Sequence, residues 1–311
     1  MGVNLVILTA ENYKEHVHNR GQELPDLNTI KRYESRADSN TILHKFGMIT
    51  PAGNLIGFGM FVMGTWDPML KPGWAEISIQ VDPNWQHQGI GTRMLDEVRT
   101  LAAKYSAVSL RFSLKDTDKV SLDWAEKRGF SITSHTFESQ LDVTDFDTGQ
   151  YENDFKALES SGIRFTSLAA YPQTEAFHDR YWDFWRELVT DIPGMGDQPH
   201  PDNEQMKHLT QNVDKNGFIV AVDGDAWVAL SMVIRETATT YYNSMTGVSR
   251  QYRGKGLAQA IKVKAIDYAQ QNGATYLRTH NDARNAPMLS LNEKLGYQPK
   301  PGQFSLVKHL K

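Results

Sequence analysis

Two short glycine-bearing segments carry the residues best suited to chemistry. The first, over 81–91, reads Val-Asp-Pro-Asn-Trp-Gln-His-Gln-Gly-Ile-Gly, and the second, over 248–258, reads Val-Ser-Arg-Gln-Tyr-Arg-Gly-Lys-Gly-Leu-Ala. Each follows a strand-like run and precedes an amphipathic helical stripe. Glycine lets the chain turn tightly and lets a ligand approach the backbone. The helix that follows presents unpaired amides and a partial positive charge, which suits a phosphate or pyrophosphate. The candidate cradles are Gln86, Gln88, Gly89, Ile90 and Gly91 in one copy, and Arg253, Gly254, Lys255, Gly256, Leu257 and Ala258 in the other. Arg253 and Lys255 add full charge to the second copy. Gln86, His87 and Gln88 leave the first electrostatically weaker.

A plain strand-to-helix turn would explain one such segment, but not the pair. The two align at a single offset, 256 − 89 = 167 residues, with Val81 on Val248 and Trp85 on Tyr252. At the same offset Asp118 falls on Asn285, and Arg128-Gly129-Phe130 falls on Leu295-Gly296-Tyr297. A chance glycine pair would not bring a second landmark with it. Other phosphate loops fit worse. No Gly-x-x-x-x-Gly-Lys-Ser/Thr occurs, and neither segment has the third glycine of a dinucleotide fingerprint.

The elements that must position these segments repeat in the same order. In the first half, strands are expected over 4–9, 42–50, 55–63, 74–81 and 107–112, with a hairpin turn at Pro51, Ala52, Gly53 and Asn54. Met94, Leu95, Val98, Leu101 and Ala102 form a helical stripe, and a short helix over 119–127 stops at Gly129. In the second half, strands are expected over 163–168, 218–222, 226–234, 241–248 and 274–279, and helices over 175–189, 257–272 and 286–294. The predicted domains are 1–145 and 163–311, joined by a polar linker or connecting helix over 146–162.

Composition agrees with two domains. The chain has 311 residues, against roughly 100–200 per domain. Its 40% apolar content can fill a core in each half, and its net charge of −4 argues against a broad nucleic-acid surface. Without cysteine there is no disulfide, thiolate metal site or cysteine nucleophile. No apolar run approaches the roughly 18 residues of a membrane span. The start of the chain lacks a secretory leader pattern, so a cytoplasmic location with no membrane partner is expected.

The motif Gln/Arg-x-x-Gly-x-Gly/Ala after a strand ending in valine resembles the signature of the Gcn5-related N-acetyltransferases (GNAT). So does the run 285–297, an Asn, a helix and a closing Gly-aromatic. Asp191-Ile192-Pro193-Gly194 also resembles a stretch found in bacterial acetyltransferases. The resemblance covers most of both halves. It implies an α/β (α+β) fold of two tandem domains, each a splayed mixed sheet flanked by helices. It further implies that acetyl-CoA lies in the splay, its pyrophosphate on the glycine loop. The backbone near Val81 or Val248 would polarise the thioester, with Asn285 at the start of the late helix. The acceptor is then a small amine attacking directly: an amino sugar, a thiol-cofactor precursor or an amine antibiotic.

Direct attack needs a base and then an acid. The candidates are Glu76 on the first half's strand and Asp191 in the second half. Asn292 and Ala125 stand where the family often has a tyrosine acid, and Asn243 stands at Glu76 plus 167. The second half, with the more charged loop, is the expected site of catalysis. Two alternatives stay open, catalysis in the first half through Glu76, and an acyl-CoA-binding sensor or scaffold without turnover. Both monomer and homodimer remain open. His178, Tyr181, Trp182 and Trp185 are expected in a core. His200 and His208, with Asp197, Asp202 and Glu204, match no metal motif, and no metal is expected.

Overall fold

A computed structural model describes residues 2–16, 24–66, 70–194, 202–204 and 213–310. The elements run β1 (Asn4–Ile7), α1 (Ala10–His16), α2 (Leu27–Arg36), β2 (Ile42–Ile49), β3 (Leu55–Met63), β4 (Trp74–Val81), α3 (Ile90–Lys104), β5 (Ser109–Lys115) and α4 (Lys119–Glu126). They continue with β6 (Ser131–Asp142), α5 (Glu152–Ser160), β7 (Ile163–Ser167), α6 (Glu175–Val189), β8 (Phe218–Asp223), β9 (Ala226–Arg235) and β10 (Thr240–Val248). The last are α7 (Leu257–Gln271), β11 (Tyr276–Asp282), α8 (Ala286–Lys294), β12 (Gln298–Pro299) and β13 (Gln303–His309). No helix among the described residues is long and apolar enough to cross a membrane.

The chain forms two compact units, and they do not divide where the sequence suggests. Unit 1 is Met1–Thr133 with Phe304–Lys311, and unit 2 is Ser134–Gln303. The expected boundaries, 1–145 and 163–311, are corrected at both ends. The strand from residue 134 to 142 belongs to unit 2, pairing antiparallel with β11 from Tyr276↔Asp142 to Asp282↔Thr136. The C-terminal strand β13 belongs to unit 1, beside β5. Alternating apolar residues specify a strand but not its partner, so pattern alone could not place either one. The expected linker is mostly α5, whose Phe155 meets Phe165 edge-to-face at 5.6 Å.

In unit 1 the sheet order is β1-β2-β3-β4-β5-β13. The first four strands are antiparallel and β4–β5 is parallel. Helix α3 buries Ile90, Met94, Leu95, Val98, Leu101 and Ala102, the expected stripe plus its first residue. Burying side chains of that size is worth about 1.5–3 kcal/mol each, and Leu306 of β13 joins the same core. A second core of Tyr13, Ile30, Phe58, Met60 and Val62 lies on the other face, among residues of α1 and α2.

In unit 2 the order is β7-β8-β9-β10-β11-β6, with β12 also on β6. Helix α7 buries Leu257, Ile261, Ala265 and Ala269 against one face. On the other face α6 buries Tyr181, Trp182, Phe184 and Leu188 with Trp227 and Met245. Tyr181 and Trp182 are therefore core, as expected, while Trp185 packs on that core only partly buried and His178 is not among its members.

Candidate active site

The two glycine segments adopt one backbone conformation. Gly89 and Gly256 each sit at φ 81°, ψ −4° as the residue capping α3 and α7. That left-handed geometry favours glycine, and it supplies no side chain to cap the helix. A Cβ at Gly89 or Gly256 would meet nothing within 4 Å, so the space beside each cap is open. The first residue of each motif clamps the preceding strand. Gln86 Nε2 donates to Val81 O at 3.2 Å, and Arg253 Nε donates to Val248 O at 3.0 Å. The Gln/Arg alternation at that position therefore serves loop geometry in both copies.

In unit 1 the open space is a cavity of about 330 Å³. Ile77, Ile79 and Val81 of β4, Phe112 of β5, and Trp124 and Phe130 give it an apolar wall. Loop residues 89–92, His87, Gln86 and Arg128 close the polar end. Arg128 Nη2 donates to Thr92 Oγ1 at 2.8 Å, Nη1 donates to Trp124 O at 3.0 Å, and the guanidinium lies 4.2 Å from the Trp124 ring centre. A full positive charge thus stands beside the start of α3. Sequence reasoning missed it, because Arg128 lies 39 residues after Gly89, although it belongs to the downstream landmark.

The charge expected to strengthen the second loop is engaged elsewhere. Asp191 accepts from Arg250 Nε at 3.1 Å and from Arg250 Nη2 at 2.5 Å, and its other oxygen accepts from Arg253 Nη2. The Arg250 hydrogen bond, with Arg253 beside it, holds the Asp191 carboxyl below the usual range. Asp191 is therefore a tie between two arginines and not a poised base. The expected ranking of the two loops by charge is corrected. Arg253 is partly neutralised, the Lys255 ammonium lies 4.8 Å from the Tyr252 ring centre, and Arg128 serves unit 1.

In each unit the strands part where the cleft begins. β4 and β5 pair only at Trp74↔Ser109, Ala75↔Leu110 and Glu76↔Arg111. Beyond that fork the strands separate, and Ile77, Ile79 and Val81 face the cavity. Glu76 holds the fork through Arg111, whose Nη2 donates to Oε2 at 2.6 Å. In unit 2 the last parallel pair is Tyr242↔Arg278. Arg278 is Arg111 plus 167, yet its partner is not Asn243. A bulge between Asn243 and Met245 shifts the strand by one residue. The spatial counterpart of Glu76 is thus Tyr242, which corrects the expected equivalence.

Asn243 instead points toward α7. It is 2% exposed, donates to Ser231 Oγ at 3.0 Å, and accepts from Thr246 Oγ1 at 3.0 Å and Lys262 Nζ at 3.1 Å. Lys262 is 1% exposed, and its ammonium position lies 4.8 Å from the Tyr297 ring centre. Burial pulls its pKa down to about 7. At 262 − 167 = 95 unit 1 has Leu95, so nothing in the repeat announces a buried lysine.

The late helices also differ. Asp118 caps α4 by accepting from Ser121 N at 3.0 Å, whereas Asn285 makes no side-chain cap on α8. Asn292 is buried and donates to Asn281 Oδ1 at 2.7 Å, and Asn281 donates to Ser139 Oγ at 2.8 Å. It is a link in a buried polar chain, not an acid facing the cleft. Ala125 is wholly buried. His200 and His208 lie outside the described residues. Among the described residues no cluster of three metal-ligating side chains occurs.

The chain matches the model of the Acetyltransferase (GNAT) family over residues 8–130 and 175–297. The two matches are offset by 175 − 8 = 167 residues, the spacing of the glycine segments. It is similar to mycothiol acetyltransferase of Arthrobacter sp. (strain FB24), 23% identical over 232 residues, or 71% of this chain and 66% of that protein. It is also similar to mycothiol acetyltransferase of Renibacterium salmoninarum, 29% identical over 90 residues, 27% of each protein. Among solved structures, a GCN5-related N-acetyltransferase from Sphaerobacter thermophilus matches with a TM-score of 0.64 at 13% identity, covering 99% of this chain and 95% of that one. A tandem GNAT protein from the clavulanic acid biosynthesis pathway matches at 0.58 and 17% identity, covering 99% and 98%.

Proposed function

The chain belongs to the acetyltransferase (GNAT) family, and from that premise we propose that it moves an acetyl group from acetyl-CoA to the amine of a small molecule. The amine attacks directly while both substrates are bound. The observation that carries the acetyl-CoA part of this reading is the unit 1 cavity. Its polar end offers the amides of 89–91 and the Arg128 guanidinium, and its apolar wall runs along β4 to the fork at Glu76. That sequence of surfaces fits a ligand with an anionic end and a long, mostly apolar arm. The relatives named mycothiol acetyltransferase support acetyl transfer as the reaction.

Acetyl-CoA, when bound, supplies the acyl group already activated as a thioester. In unit 1 the chain supplies the Gly89, Ile90 and Gly91 amides and Arg128 for the anionic end. In unit 2 the same backbone at 256–258, with Lys255 and Asn285, makes the matching cradle. The backbone of Val81 or Val248 offers the oxyanion donor. Turnover is assigned to unit 2. Glu76 in unit 1 is committed to its ion pair with Arg111. Unit 1 then holds acyl-CoA without using it.

Calorimetric titration of acetyl-CoA into the full chain and into Ile79→Trp tests the carrying observation. The large ring fills the apolar wall. One binding event lost, with the other unchanged, is the expected result. Unchanged stoichiometry and affinity would refute the placement in unit 1.

A further inference from the structure

The fork of unit 2 holds a side-chain arrangement that unit 1 lacks. Tyr242 and Arg278 are the last paired residues before β10 and β11 separate. Across β11, His280 Nδ1 lies 3.1 Å from the Tyr242 hydroxyl. On the other side His280 is directly opposite Glu138 of β6. Arg278 donates to Glu138 Oε2, and to Glu236 Oε2 at 2.9 Å. Tyr242 is half-buried, and desolvation with Glu236 beside it pushes its hydroxyl up, so it stays protonated. His280 itself is exposed. At 280 − 167 = 113 unit 1 has Ser113.

We propose that His280, positioned by Tyr242, is the proton acceptor for the amine in unit 2. The assignment rests on the acetyltransferase reading. In unit 1 the cavity leads from the glycine loop toward the fork, so a ligand anchored at the loop presents its far end there. The repeat places the fork of unit 2 at Tyr242, Arg278 and His280. Imidazole suits the task, because its ordinary pKa, about 6.5, lies close to neutral pH. In the required tautomer Nδ1–H donates to the Tyr242 hydroxyl oxygen, which leaves the Nε2 lone pair for the acceptor amine. For each amide bond formed one carbon–sulfur bond breaks. One proton leaves the amine nitrogen for His280, and one proton returns to sulfur.

The groups facing His280 are Tyr242 from β10, Glu138 from β6 and Arg278 from its own strand, with Glu236 beyond the end of β9. Arg278 ties both carboxylates. Glu138 and Glu236 are thus both engaged by the Arg278 guanidinium.

The test uses the full chain with acetyl-CoA and a panel of small primary amines. His280→Gln should cut kcat about 100-fold or more, with the affinity for acetyl-CoA within twofold. The acid limb of the kcat/KM profile should coincide with the His280 imidazole midpoint measured by NMR on the free protein. Tyr242→Phe should move that midpoint and the acid limb together. Turnover of His280→Gln within threefold of the unaltered chain overturns the assignment alone. So does an acid limb unrelated to the NMR midpoint, or a midpoint that Tyr242→Phe leaves in place. No coenzyme release by the unaltered chain with any amine overturns both the assignment and the acetyltransferase reading.

Discussion

Replacing Lys262 with methionine should stabilise unit 2 in a pH-dependent way. The lysine is 1% exposed, and burial pulls its pKa from 10.5 down to about 7. That displacement, at about 1.4 kcal/mol per pH unit, corresponds to about 5 kcal/mol held against the fold at or below pH 7. The folded pKa is the lower one. Between about pH 7 and 10.5 the unfolded chain therefore binds a proton that the folded chain lacks, and stability falls as pH drops through this window. Methionine keeps the length of the side chain and does not titrate. It forfeits the Nζ hydrogen bond to Asn243 Oδ1, worth about 1 kcal/mol. Asn243 is not orphaned, because Thr246 Oγ1 still donates to it at 3.0 Å. The net expectation is about 3–4 kcal/mol of stabilisation at pH 7, shrinking toward zero near pH 10. Urea unfolding followed by hydrogen exchange on α7 and β10 peptides, at pH 7 and pH 10, measures both values. A destabilised Lys262→Met, or a gain of equal size at both pH values, would refute the reasoning.

Other perturbations separate the two units. Glu76→Gln should leave turnover intact, since its carboxylate is tied to Arg111; a large fall in kcat in steady-state assays would move catalysis to unit 1. Arg128→Ala should weaken acetyl-CoA binding to unit 1 about tenfold or more, read by calorimetry, because it removes the charge beside the helix start; unchanged affinity would leave the amides as the sole anion site. Leu306→Asp should destabilise unit 1 by about 3 kcal/mol or more, since Leu306 is fully buried in that core. Hydrogen exchange resolved by unit would show the loss, and a loss confined to unit 2 peptides would contradict the placement of β13.

The repeat, the glycine loops and the helical stripe of α3 were legible because each depends on local pattern: two landmarks at one offset, a turn that favours glycine, a helical period. What depended on long-range pairing was not. No strand was expected over 134–142 or 303–309, and the sheet each of them joins is set by long-range pairing that local pattern does not carry. A one-residue bulge at Ser244 moved the counterpart of Glu76 from Asn243 to Tyr242, and no feature of the 167-residue offset signals a bulge. Charge was misread for a related reason. Arg253 looks free in the sequence, and only folding brings Asp191 onto it and Arg128 onto the first loop. Tyr242 and His280 went unnoticed because they belong to different strands, 38 residues apart.

The most direct test of the central claim is the steady-state release of free coenzyme A from acetyl-CoA with a panel of small primary amines. The account predicts release that requires an amine and is lost in Gly256→Trp, where a bulky residue at φ 81° blocks the loop of unit 2. Acetyl-CoA bound by the chain with no release on any amine would contradict it, leaving a binding module in place of an enzyme.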